Sequence, residues 1–208
     1  MTPDAYNQRQ MDTGQLTVQH ISHLVRAYQL TSGLSVDGMA GPKTLRSMPI
    51  GGFLGAGNAA NRFKRARSAV GQHTVYQLGK GGYRPEDMHP GKHCDCSGFI
   101  SWVIGLSRKH IFGRHQWIST SDIHADATEH QHLFKKMPAP EPGCLVVYPD
   151  KGGRQGHVAI VTGKKGTELW GVDCASSSSR VTGDAILERS LEFFRRRSDM
   201  IFCIPEEA

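Results

Sequence analysis

The chain has 208 residues, of which 38% are hydrophobic, and a formal net charge of +6 from 25 basic and 19 acidic side chains. This composition excludes a largely disordered chain, and no segment approaches the roughly 20 apolar residues that a membrane-spanning helix requires. The five cysteines lack the spacing of a disulfide scaffold, and because their number is odd at least one thiol is expected to be free. The positive charge indicates a polyanionic partner without identifying it.

The first 50 residues predict a small helical unit. Apolar residues recur at helical spacing until a glycine interrupts the pattern: Ile21, Leu24, Val25, Tyr28 and then Gly33. Asp37 and Gly38 favour a tight turn, and Pro42 suits the first turn of a second helix. Residues 1–50 are therefore expected to form helices around a turn.

A second domain is predicted to follow a linker. Residues 51–60 have the Gly and Ala content of a linker, so the second domain is expected to span residues 61–208. It begins with a predicted helix over residues 61–70, whose basic side chains we expect to face solvent. Another helix is predicted after Cys96 and is expected to be buried, because it carries a face of four apolar residues: Phe99, Ile100, Val103 and Ile104.

Strands are predicted in the last third of the chain. Apolar or alternating runs bounded by turn residues cover four segments: 144–148, 157–162, 168–173 and 200–204. The serine run at 176–179 is expected to be a loop. Because the helices come first and the strands afterwards, the sequence predicts an α+β domain with an antiparallel sheet.

Three residues in this domain have the chemistry of a thiol hydrolase. Cys96 directly precedes the apolar helix, where unpaired backbone amides and the helix dipole favour a thiolate and can also bind an oxyanion. His157 opens a predicted strand after a glycine-rich turn and is the best-placed base. Asp173 ends the next predicted strand, which we expect to pair antiparallel with the His157 strand, and its carboxylate can orient the imidazole.

Three segments resemble the NlpC-type, papain-like cell-wall cysteine peptidases. They are residues 95–99 (Asp-Cys-Ser-Gly-Phe), 142–148 and 156–163 (Gly-His-Val-Ala-Ile-Val-Thr-Gly). The resemblance implies that Cys96 is the nucleophile and His157 the base, with no cofactor and no metal.

The same resemblance implies that Tyr76, Asp95 and Ser97 bind the stem peptide of peptidoglycan. Two positions depart from the family pattern. Asp173 stands where the family often has histidine, and Cys144 stands where it usually has an acidic residue.

The N-terminal unit carries a second resemblance. Residues 25–29 and 33–45, which include Val-Asp-Gly and Gly-Pro-Lys-Thr, are similar to a three-helix peptidoglycan-binding module found beside cell-wall hydrolases. The implied partner is therefore peptidoglycan and not nucleic acid. A helical cap or spacer without wall binding is the alternative for this unit.

The resemblance implies cleavage of a stem-peptide amide, with the bond from D-glutamate to diaminopimelate favoured. The alternatives are an N-acetylmuramoyl-L-alanine amidase, an acyltransferase on the same fold, and an inactive wall-binding structural protein.

The first residues do not form a secretory signal pattern. The chain is thus expected to be made in the cytoplasm and to reach the periplasm or wall by export, injection or lysis. It would act as a phage lysin or tail enzyme, or as a secreted antibacterial effector with an immunity protein or delivery machinery as partner.

A zinc site is the competing interpretation of the residues around the nucleophile. His89, His93, Cys94 and Cys96 are zinc-binding residue types, but Cys-x-Cys lacks the two-residue gap of common zinc knuckles. We therefore expect a free nucleophile, with Cys94 as a neighbouring spectator or a redox partner. Five further histidines between residues 110 and 132 surround Trp117 and predict a cleft loop or a solvated surface.

Overall fold

The computed structural model describes residues 12–13, 17–31, 33–39 and 59–206. The chain divides into two compact units, Met1–Pro49 and Ile50–Ala208. In the first unit, helix α1 spans Val18–Thr31. The second helix predicted from Pro42 and the predicted linker up to residue 58 lie outside the described residues. Among the described helices, none is long and apolar enough to cross a bilayer.

One buried glutamine organises the turn that follows α1. Gln29 is 1% exposed, and its side-chain oxygen accepts hydrogen bonds from the backbone of Asp37 and Gly38 at 3.1 and 2.9 Å. Its side-chain nitrogen donates to Oδ1 of Asp37 at 2.7 Å and to the carbonyl oxygen of Met39. Gly38 has a φ of 76°, which favours glycine. The Val-Asp-Gly motif is therefore a turn tied to α1 through Gln29.

The second unit contains both helices and strands. Its helices are α2 Ala59–Ser68, α3 Cys96–Val103, α4 Thr120–Ala125 and α5 Ser176–Thr182, with a π-helical turn Asp126–His130 and a 3-10 turn Glu192–Arg196. Its strands are β1 Val75–Tyr76, β2 His93–Cys94, β3 Phe134–Met137, β4 Leu145–Tyr148, β5 His157–Lys165, β6 Glu168–Cys174, β7 Ile186–Ser190 and β8 Ile201–Pro205.

The main sheet has six strands in the order β3-β8-β4-β5-β6-β7. Every neighbouring pair in it is antiparallel, and β1 and β2 form a separate short parallel pair. The second unit is thus a mixed α+β domain with an antiparallel sheet, as predicted. The four predicted strands correspond to β4, β5, β6 and β8.

Helix α3 is the most buried helix of the unit. All eight of its residues are buried, which confirms the prediction from its apolar face. Phe99 and Ile100 of α3 belong to one hydrophobic cluster with Val158, Ile160 and Val172 of the sheet. The alternate sheet residues belong to a second, smaller cluster: Val146, Ala159, Val161 and Leu169, together with Leu191 and Phe194.

Two local predictions are wrong. Two basic residues of α2 do not face solvent, because Arg62 donates to the carbonyl oxygen of Gly143 and Arg65 stacks on the Trp102 ring at 4.3 Å. The planar guanidinium packs well on apolar surface while its nitrogens reach backbone carbonyls. The serine run lies in helix α5 and not in a loop, and Gly183 ends that helix with a φ of 77°.

Candidate active site

Cys96 is the first residue of α3, one position earlier than the sequence predicted. Asp95 caps the helix, since its Oδ1 atom accepts a hydrogen bond from the backbone nitrogen of Gly98 at 2.8 Å. The first backbone N–H groups of a helix have no intrahelical acceptor and carry partial positive charge. The Cys96 sulfur therefore lies where a thiolate and a developing oxyanion are both stabilised.

A buried arginine fixes the Asp95 cap. Arg108 donates from both terminal nitrogens to Oδ1 and Oδ2 of Asp95, each at 2.7 Å, and also to the Ser97 hydroxyl at 3.0 Å. Asp95 is 1% exposed and its Oδ2 atom also accepts from the backbone of Gly79. Both carboxylate oxygens are thus occupied by protein donors. For Asp95 to contact substrate, as predicted, one of these donors would have to be displaced.

Close backbone packing holds residues 80–82 (Lys-Gly-Gly) against α3. A side chain at Gly98 would meet the carbonyl oxygens of Lys80 and Gly81, and a side chain at Gly82 would meet the carbonyl oxygen of Gly98. Only glycine permits these approaches. Gly81, Gly82 and the glycine of Asp-Cys-Ser-Gly-Phe are therefore parts of one contact.

His157 and Asp173 form a hydrogen-bonded pair on one face of the sheet. Asp173 is opposite Ala159 in the β5–β6 register, and Ala159 and His157 share a face. The Nε2 atom of His157 donates to Oδ2 of Asp173 at 2.7 Å. Cys96 also lies close enough to the imidazole to raise the pKa of His157. The structure thus places Cys96, His157 and Asp173 close together.

The partners of His157 favour its charged form. Burial lowers the pKa of His157, but its hydrogen bonds to Asp173 and Cys96 outweigh burial and raise the pKa to about 10. Burial likewise raises the pKa of Asp173, but the bonds from His157 and Arg189 reverse the effect and lower it. The imidazole near the Cys96 sulfur is therefore protonated at neutral pH.

Aromatic rings cover the His157–Asp173 pair. The Phe194 ring stacks on the imidazole with centroids 5.5 Å apart, and the Phe193 and Tyr148 rings lie at 5.9 and 6.3 Å. The His157 side chain is 12% exposed and that of Asp173 is fully buried. Sequence patterns did not identify Phe193 and Phe194 as site residues, because they lie in a short 3-10 turn after the last motif.

Arg189 of β7 is a further residue that sequence patterns missed. Its Nε atom donates to Oδ1 of Asp173 at 2.9 Å, and a terminal nitrogen donates to Oδ2 at 2.6 Å. Its guanidinium carbon lies 4.9 Å from the centre of the Phe193 ring. No motif surrounds it, although it lies on β7 two residues after Leu187, the register partner of Asp173.

An open cleft of about 450 Å³ leads to Cys96. It is lined by all three predicted substrate-binding residues, Tyr76, Asp95 and Ser97. Burial and the negative charges of Cys96 and Asp95 raise the pKa of Tyr76, so its hydroxyl stays a hydrogen-bond donor. Trp117 and Arg154 also line the cleft.

The other four cysteines are fully buried and free. Burial raises the pKa of Cys144 to about 11, and it also raises the pKa values of Cys174 and Cys203. These three thiols are therefore protonated and poor nucleophiles. The Cys94 thiol donates to the carbonyl oxygen of Asp95 at 3.3 Å.

In the part of the chain that the structure describes, no group of three or more His, Cys, Asp or Glu side chains is placed to hold a metal ion.

Residues 84–174 match the CHAP domain, a cysteine/histidine-dependent amidohydrolase/peptidase domain. A CHAP domain implies hydrolysis of peptidoglycan by a Cys–His mechanism. The matched segment contains Cys96, His157 and Asp173 and ends before Arg189.

The sequence matches no curated protein. Among solved structures it is similar to the crystal structure of Ly7917, at 15% identity and a TM-score of 0.45, over 73% of this chain and 63% of that one. The chain therefore spans less than two thirds of that protein's length.

Proposed function

We propose that the chain hydrolyses an amide bond in the stem peptide of peptidoglycan, with Cys96 as nucleophile, His157 as acid and base, and Asp173 as the group that orients His157. One observation carries this proposal. Cys96 stands at the amino end of α3 and raises the pKa of His157, His157 is itself paired with a buried carboxylate, and an open cleft is lined by Cys96.

The reaction follows from the placement of these groups. The Cys96 thiolate attacks the amide carbon, and the carbonyl oxygen takes up negative charge beside the backbone amide of Cys96. The His157 imidazolium then gives its proton to the leaving amine, and the carbon–nitrogen bond breaks. Neutral His157 next removes a proton from water, whose oxygen attacks the thioester and releases the carboxylic acid and the Cys96 thiolate.

The cleft supports a peptide substrate that carries carboxylates. Trp117 and Leu78 supply apolar wall, Tyr76 supplies a hydroxyl donor, and Arg154 places a cation at the rim. Stem peptides combine small apolar side chains with free carboxylates. Following the resemblance to NlpC-type peptidases, we place the scissile bond between D-glutamate and diaminopimelate. The bond between muramic acid and L-alanine is the alternative.

Mass spectrometry of products from purified sacculi tests this assignment. We expect fragments that end in D-glutamate, together with peptides whose new amino terminus is diaminopimelate. Free L-alanine amino termini would instead assign the amidase reaction. Products in which a stem-peptide acyl group is joined to another amine would identify an acyltransferase, and release of glycan fragments alone would contradict the proposal.

We also propose that residues 1–50 bind the wall and that the protein acts outside the cytoplasm, as a phage enzyme or an injected effector. The turn built on Gln29 and the resemblance of residues 25–45 to a wall-binding module support the first part. Expression with an added export signal should lyse a Gram-negative host, whereas expression without it should not. Equal growth under both conditions would contradict an extracytoplasmic target.

A further inference from the structure

Arg189 approaches the site from β7, outside the segment that matches the CHAP domain. We propose that Arg189 is a positioning residue: it holds the Asp173 carboxylate in the orientation that binds His157. This inference rests on the proposed function, since it assigns a role in the same reaction. Arg189 would not touch substrate and would act through Asp173.

The contacts of Asp173 carry this proposal. Arg189 binds both carboxylate oxygens, at 2.9 Å and 2.6 Å, and His157 binds one of the same oxygens at 2.7 Å. A two-pronged arginine contact fixes the plane of a carboxylate as well as its position. Without it, a single hydrogen bond from His157 would leave the carboxylate free to rotate about its last torsion.

Arg189 also supports the aromatic cover of the imidazole. Its guanidinium lies on Phe193, and the Phe193 ring packs on Phe194 with centroids 4.6 Å apart. Both rings in turn contact His157. One side chain therefore links the carboxylate and the rings that enclose the imidazole. The Arg189 side chain is itself 31% exposed, so its removal does not create a large buried cavity.

The charged groups around the pair come from several elements. Cys96 faces His157 from α3, Arg189 faces Asp173 from β7, and Tyr148 lies beside His157 on β4. Arg197, after the 3-10 turn, stacks on Tyr148 at 4.5 Å. Removal of the Arg189 cation makes proton loss harder for every nearby acid. The acid limb of the pH–activity profile, which follows loss of the Cys96 proton, should therefore move to higher pH.

The test compares Arg189→Met and Arg189→Lys with wild type in the full-length protein. Arg67→Met is the matched control, because Arg67 makes the same two-pronged contact with Glu188, the neighbour of Arg189 on β7. Soluble muropeptides serve as substrate. We expect Arg189→Met to lower kcat about 10- to 100-fold, the worth of a charge-assisted hydrogen bond, with little change in KM. Arg189→Lys should recover part of kcat, and Arg67→Met should match wild type.

A second readout does not require turnover. The rate at which iodoacetamide alkylates Cys96, followed against pH, should have its midpoint at higher pH in Arg189→Met than in wild type. An unchanged midpoint and acid limb, or an equal loss in Arg67→Met, would overturn the role of Arg189. A wild type that cleaves no muropeptide would overturn the proposed function instead, and the alkylation profiles would still decide the question of Arg189.

Discussion

His157 lies between two acids, and this placement determines what the site can do at the scale of single residues. One ring nitrogen donates to the Asp173 carboxylate, and the nearby Cys96 also raises the pKa of the ring. Both acidic partners favour the imidazolium, which keeps a proton available for the leaving amine. The aromatic cover keeps water away from the pair, so the hydrogen bonds are stronger than they would be in solvent.

Asp173→Asn should change both the rate and its pH dependence. The charge of Asp173 raises the pKa of His157, so the wild-type imidazolium persists at neutral pH and is lost as the pH rises through about 10. Asparagine has no charge, so His157 should lose its proton at lower pH and the alkaline limb should move down. We expect kcat to fall about 10- to 100-fold. A pH–rate profile on soluble muropeptides measures both effects, and an unmoved alkaline limb would contradict this role of Asp173.

The nucleophile, the histidine and the acid could be predicted because each belongs to a short segment with a recognisable pattern. Cys96 precedes an apolar helix, and two strands separated by a tight turn bring His157 and Asp173 together. Arg108 and Arg189 could not be found in this way. Their roles depend on partners 13 and 16 residues away, and nothing in their own neighbourhoods distinguishes them from surface arginines.

At the scale of elements, the amino end of α3 is the critical structure. Its cap, its buried ion pair and its glycine contact all converge on the turn that carries Cys96. The Cys96 position therefore depends on groups that do not themselves react.

Asp95→Ala should destabilise the second unit by about 3 to 5 kcal/mol, because it leaves the buried charge of Arg108 without its partner. Urea unfolding followed by tryptophan fluorescence measures the loss. Asp199→Ala is the matched control, since Asp199 makes the same two-pronged contact with Arg197 near the surface and should cost much less. Equal losses in the two variants would show that the buried pair does not hold the helix terminus.

The edges of the sheet and helix α5 were harder to predict than the central strands. Strands β3 and β7 lie at the two edges, and only the first residue of each is buried. Their polar side chains therefore obscure the alternation on which strand prediction depends. Serine has modest helix propensity, so tertiary contacts decide the structure of α5. Its Ser179 hydroxyl accepts a hydrogen bond from the backbone of Tyr76.

At the scale of the whole molecule, the two units have separate proposed tasks. Gln29→Ala removes the side chain that ties the Asp37–Gly38 turn to α1. We expect this full-length variant to bind sacculi more weakly while cleaving soluble muropeptides at the wild-type rate. Co-sedimentation with sacculi measures binding. Both the Gln29→Ala protein and its reference carry Cys96→Ala in this assay, so that neither digests the sacculi. Unchanged co-sedimentation would contradict wall binding by the first unit.

The most direct test of the central claim is the release of new amino groups from purified sacculi by wild type and by Cys96→Ala. Cys94→Ala is the matched control, since it removes a buried thiol two residues away that the mechanism does not use. We predict release by wild type and Cys94→Ala and none above background by Cys96→Ala. Equal release by wild type and Cys96→Ala would contradict the assignment of the reaction to the Cys96 thiolate.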